Sequence, residues 1–114
     1  WPKMGDEWFP AATPMLDSFW RNLVDNPIVV QFVHRWLAFA VAALALWLGL
    51  RVWARGERFD AAALIGAVAA QILLGILTLL SGVQIDIAVA HQGMAALLLA
   101  ATVTAAHRLG ERRA

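Results

Sequence analysis

The sequence contains no cysteine. Disulfides, thiolate metal sites and C-x-x-C-H cofactor attachment are therefore excluded. Charge is also scarce, with nine Lys and Arg against eight Asp and Glu and a formal net charge of +1 over 114 residues. No basic patch exists to attract nucleic acid, so that class of partner is excluded. Residues 1–26 lack the basic start and apolar run of a signal peptide; they open on Trp1 and carry four acids and several prolines. The expectation from this start is the C-terminal part of a longer protein.

What the chain has in abundance is apolar side chains, at 61% of all residues. They gather into three stretches, about 28–53, 61–81 and 85–108. Each exceeds the ~20 residues that cross ~30 Å of hydrocarbon as a helix. The fold class is thus all-α integral membrane, with three transmembrane helices. Arg51 to Asp60, with one Gly and five charges, reads as the first connecting loop, and Ser81-Gly82 as a tight turn before the third helix.

Orientation follows from the basic residues. Arg51, Arg55, Arg58, Arg108, Arg112 and Arg113 flank one side, against Lys3 and Arg21 on the other. The positive-inside rule makes the 51–60 loop and the C-terminus cytoplasmic, with residues 1–26 and the 81–87 turn extracytoplasmic. Trp20, Trp47 and Trp53 suit the aromatic belts of the two interfaces. Two regions follow: an outer loop over 1–26 and a membrane region over 27–114. The outer loop is expected to carry a short surface helix near Leu16 to Val24, with Asp17 or Ser18 as its N-cap.

Three histidines occur, and two are placed to act together. His34 lies seven residues past Pro27, or about 10 Å along its helix. His91 lies four to six residues past the start of the third helix, or about 6–9 Å along it. Both helices run in the same direction, so the imidazoles reach similar depth on the outer side. Two histidines ligating one metal put their helix axes roughly 14 Å apart, given metal–nitrogen bonds of about 2.0–2.1 Å. That exceeds the 8–10 Å of helices in contact. Diagonal helices of a four-helix bundle match it, so a fourth helix is expected upstream of these residues.

A heme with two axial histidines, held without covalent links, satisfies this geometry. Small residues share the ligand faces: Ala38, Ala42, Ala45 and Gly49 with Gln31 and His34, and Ala88, Ala95 and Thr102 with His91. The same pattern has a plainer reading, in which small residues mark close helix packing and the histidines hydrogen-bond between helices. Gly66, Ala70 and Gly75 of the middle helix are assigned to such packing. His107, beside Arg108 at the inner end, is read as snorkelling to the interface. Arg35, a cation costing ~2.5–3.5 kcal/mol at membrane depth, needs a partner. Heme propionates would supply one through charge-assisted bonds, as would Asp25 or a lipid phosphate.

NPIVVQFVHRWLAF, QILLGILTLLSG and VAHQGMAALLLAATVTAAHR together resemble the C-terminal half of the heme A synthase family, and WPKMGDEWFP resembles its outer loop. The resemblance covers nearly the whole chain and favours the proteobacterial and mitochondrial-type members. It implies an eight-helix parent of two four-helix bundles, in the inner (plasma) membrane of a bacterium. It further implies oxidation of heme O to heme A for cytochrome oxidase assembly, which makes the parent an oxidoreductase. By matching motifs, His34 and His91 would ligate the iron of heme b in the second bundle. Membrane lipid, the N-terminal half of the same protein, heme O, heme O synthase and an electron donor are the implied partners.

The acidic residue the family is thought to need belongs to the other bundle, and no Asp or Glu lies inside the His34 helix. No residue here is therefore assigned to catalysis, and the chain alone is expected to be catalytically incomplete. Two other readings use the same residues: a bis-histidine membrane cytochrome b electron carrier, and a non-catalytic membrane subunit whose histidines only pack.

Overall fold

The computed structural model describes residues 2–111. The described residues contain four helices and no strand: α1 Phe19–Asp25, α2 Pro27–Ala54, α3 Arg58–Leu80 and α4 Ile85–Glu111. An isolated bridge between Met4 and Glu7 is the one β-type pairing among them. The protein is all-α, and α2, α3 and α4 are each long and apolar enough to cross a membrane. The chain divides into two compact units, one ending at Val41 and the other beginning at Ala42.

In the first unit, the sequence Asn26-Pro27 sets the start of α2. The Asn26 Oδ1 accepts from the Ile28 and Val29 amides at 3.2 and 3.5 Å, and Pro27 occupies the first helical position, where no amide proton is needed. Asn22 and Asn26 are both buried. Asn22 Nδ2 donates to the Leu16 and Ser18 carbonyls at 2.8 Å, and its Oδ1 accepts from Leu16 N at 2.9 Å and Asn26 Nδ2 at 3.1 Å. Asn26 Nδ2 also donates to the Pro14 carbonyl at 3.1 Å. These bonds fold the loop onto the α1–α2 junction. A short helix is found in this segment, at Phe19–Asp25. Ser18 does hold the N-cap position, but its side chain makes no capping bond. Asn22 instead ties the preceding loop to the helix, its Nδ2 donating to the Leu16 and Ser18 carbonyls.

The second unit holds the C-terminal part of α2 with α3 and α4. Its core is a small cluster of Ala45, Val52, Ala61, Leu64, Val68 and Ala105. Around it, large apolar side chains such as Leu44, Leu50, Leu73, Leu97 and Leu99 stay exposed, as helices facing hydrocarbon require. Gly49 lets α2 approach α3: a Cβ there would sit 2.9 Å from Ile65 Cγ1. The room at Gly49, assigned from sequence to the ligand face, is consumed by this packing. Gly66, by contrast, has nothing within 4 Å of such a Cβ and makes no close approach.

The expected 51–60 loop is mostly helix. α2 runs to Ala54 and α3 begins at Arg58, leaving a turn around Gly56, whose φ of +88° suits glycine. Asp60 in the first turn of α3 complements the helix dipole and pairs with Arg108 at 3.1 Å. α3 ends in a Schellman motif, in which Val83 N donates to the Thr78 carbonyl and Gly82 N to the Leu79 carbonyl, at 2.8 and 3.2 Å. Gly82 and Val83 both have positive φ, at 68° and 65°. For a β-branched valine that conformation is strained. α4 continues past 108 to Glu111, where Glu111 Oε1 lies 3.1 Å from His107 Nε2. His107 is exposed at this end and has no part in the site below.

Candidate heme-ligand site

His34 belongs to the first unit and His91 to the second, and each has its own surroundings. Phe32, Arg35 and Trp36 fall on one stripe of α2 at helical spacing. Segment 2–9 packs on that stripe. Phe9 meets Phe32 edge-on at 5.2 Å between ring centroids, and Trp8 lies 6.0 Å from Trp36. Phe32–Trp36 and Trp36–Phe39 contacts at 6.2 and 6.0 Å extend the aromatic cluster along the helix. His34, two residues on from Phe32, is turned roughly 200° from it at ~3.6 residues per turn. His34 itself is exposed.

Arg35 finds its partners in the loop. Its Nη1 donates to the Pro2 and Lys3 carbonyls at 2.9 and 2.5 Å. The carboxylate considered from sequence, Asp25, lies 3.5 Å from Arg21 instead. Backbone carbonyls more than thirty residues away leave no trace in the local sequence, which is why this clasp was not foreseen. Arg35 Nε is buried without an acceptor among the described residues. Replacing Arg35 with leucine is expected to loosen segment 2–9. The readout is faster hydrogen exchange at Met4, whose amide donates to the Glu7 carbonyl, and bonds to a charged group are worth about 1.5–3 kcal/mol.

On the other side, His91 sits partly buried in the second turn of α4 and faces α3. A Cβ built on Gly75 would lie 3.0 Å from His91 Cε1, 3.6 Å from Nδ1 and 3.7 Å from Nε2. The ring therefore rests where a side chain at position 75 would be. One turn away, Gln71 Nε2 lies 3.5 Å from His91 Nε2. Gln71 Oε1 is buried and has no hydrogen-bond partner among the described residues. Gly75, assigned to general helix packing from sequence, makes room for this imidazole. Gln71 was missed, although an amide inside the apolar run QILLGIL, four residues before a glycine, was a usable signal.

No group of three His, Cys, Asp or Glu among the described residues is arranged to hold a bare metal ion. Two imidazoles suffice for an iron whose other four donors come from a porphyrin, so the donor set fits heme. An orphaned amide oxygen beside His91 fits a site that meets another group.

Three helices long and apolar enough to cross a membrane define a multi-span helical membrane protein. The family model described as cytochrome oxidase assembly protein, COX15-CtaA, matches residues 1–103, and the chain belongs to that family. Among its relatives, Heme A synthase of Rhizorhabdus wittichii is 52% identical over 96% of the chain and 31% of that protein. Heme A synthase of Sphingopyxis alaskensis is 43% identical over 100% of the chain and 32% of its own length. Heme A synthase COX15 of Saccharomyces cerevisiae is 35% identical over 100% of the chain and 27% of its own length. The chain thus spans about a third of the length of these curated relatives. No solved structure matches it.

Proposed function

We propose that this chain is the C-terminal, heme b-binding part of a heme A synthase, an enzyme that oxidises heme O to heme A for cytochrome oxidase assembly. The observation that carries the reading is the His91 seat on Gly75 and Gln71, within a chain 52% identical to a heme A synthase. His34 and His91 would hold the heme iron through their imidazole nitrogens. The bound heme supplies one-electron redox chemistry, and the protein supplies ligation, burial and charge. Arg35 retains a buried Nε with no acceptor among the described residues, which suits a cation that clasps the loop by one nitrogen and a propionate by another.

No carboxylate lies between Asp25 and Glu57. That absence favours electron transfer as this part's share of the work, with oxidation of the methyl group belonging to the N-terminal half. The basic residues orient the chain with the α2–α3 turn and the C-terminus in the cytoplasm and the loop before α2 outside. Membrane lipid surrounds the helices, and heme O, heme O synthase and an electron donor are the further partners of the whole protein.

The test uses the intact protein, expressed in a bacterial membrane with a source of heme O. A pyridine hemochrome assay should show tightly bound heme b and newly formed heme A. Bound heme b with no heme A formed would favour a membrane cytochrome b that only carries electrons. No stoichiometric heme at all would leave a non-catalytic membrane subunit.

A further inference from the structure

A neutral amide in the middle of a membrane helix is costly unless its polar atoms are used. In Gln71 they are used by half: Nε2 approaches His91 Nε2 at 3.5 Å, while the buried Oε1 has no partner among the described residues. An amide nitrogen can only donate, so the facing ring nitrogen must be the acceptor. His91 then carries its ring proton on Nδ1 and directs the Nε2 lone pair toward Gln71. Gly75, one turn away on the same helix, leaves room for the ring, since a Cβ there would lie 3.0 Å from His91 Cε1.

We propose that Gln71 is a positioning residue that holds His91 in place while the protein is heme-free and yields its Nε2 to iron. In the heme-free protein its N–H holds the Nε2 lone pair, fixes the Nδ1–H tautomer and keeps the imidazole seated on Gly75. When iron takes the lone pair, the amide gives up this bond. A distance of 3.5 Å marks a weak bond, which the much stronger iron–nitrogen bond displaces readily. This role rests on the reading of His91 as a heme ligand, and the experiment separates the two.

The intact protein is depleted of heme, titrated with hemin in detergent, and examined by EPR for the low-spin ferric component that His91→Ala removes. Gln71→Met keeps length and apolarity but cannot donate. Gln71→Glu, neutral when buried in an apolar helix, keeps an O–H donor. Because the bond exists only in the heme-free protein, the expected result for Gln71→Met is hemin binding tighter by about two- to tenfold, the range a net hydrogen bond is worth, with unchanged g-values in the loaded protein. Gln71→Glu should return the affinity toward that of the unsubstituted protein. Because the g-values report only loaded protein, a lower yield of folded variant does not obscure them. Wild-type or weaker hemin affinity in Gln71→Met would overturn the positioning role, as would equal changes in both variants. A low-spin component that persists unchanged in His91→Ala would instead overturn the ligand reading beneath it.

Discussion

Replacing His91 with alanine is expected to abolish the low-spin heme b signal of the intact protein, and free imidazole in the buffer is expected to restore part of it. The ring is partly buried and rests on Gly75, so its removal leaves a space of imidazole shape between α3 and α4. Leucine or phenylalanine neighbours could collapse into such a space, but a glycine has no side chain with which to fill it. Added imidazole can therefore enter and offer the nitrogen that alanine lacks. Without it, His34 would be the one remaining protein ligand under the proposed assignment, and the iron is expected to become high-spin or be lost. The same loss is expected for His34→Ala. Optical spectra of the reduced and oxidised protein read both outcomes, and an unaltered spectrum in either variant would remove that histidine from the ligand set.

Gly75→Leu is expected to cause nearly as large a loss while leaving both histidines in place. Even a methyl group at this position would stand 3.0 Å from His91 Cε1, closer than ordinary contacts allow. The longer leucine must either displace the ring or push α3 from α4, and overpacking of this kind costs about 1–3 kcal/mol. Since the ring is held by a contact of 3.5 Å to Gln71, it yields before the helices do. Gly75→Ala should then give a graded result, with heme retained but its spectrum shifted. Gly66→Leu provides the comparison, because nothing lies within 4 Å of a Cβ there. Equal heme content in Gly75→Leu and Gly66→Leu would show that the glycine does not seat the ligand.

The membrane-length helices were legible because apolar runs above about 20 residues admit few other structures. The start of α2 was legible for a local reason, Asn at the cap and Pro in the first turn, which the hydrogen bonds bear out. The first connecting loop was misjudged. Charged residues such as Arg51, Arg55 and Arg58 read as loop, yet they are compatible with helix ends, and Arg51 lies over Trp47 at 5.3 Å from within α2. Charge marks where a helix leaves the hydrocarbon, and the helix itself continues beyond that point.

Small residues proved the least legible feature. Gly49, Gly66 and Gly75 look alike in sequence, but one admits Ile65, one meets nothing and one admits His91. Which of these a glycine does depends on the facing helix, and no local pattern encodes that. The histidines were visible from their spacing, whereas the residues that seat His91 required knowing which face of α3 it meets.

The turn between α3 and α4 has a consequence for how the chain enters its membrane. Alone in lipid, α3 would expose the Gln71 amide and α4 the His91 imidazole, each a penalty against insertion. The Schellman turn is so short that the second helix follows the first almost at once. Inserted together as a hairpin, the two segments turn these polar groups toward each other and present mainly Leu, Ile and Val to the lipid. Lengthening that connection would let α3 leave the insertion machinery unaccompanied, and the damage would appear during biosynthesis, before any heme is bound.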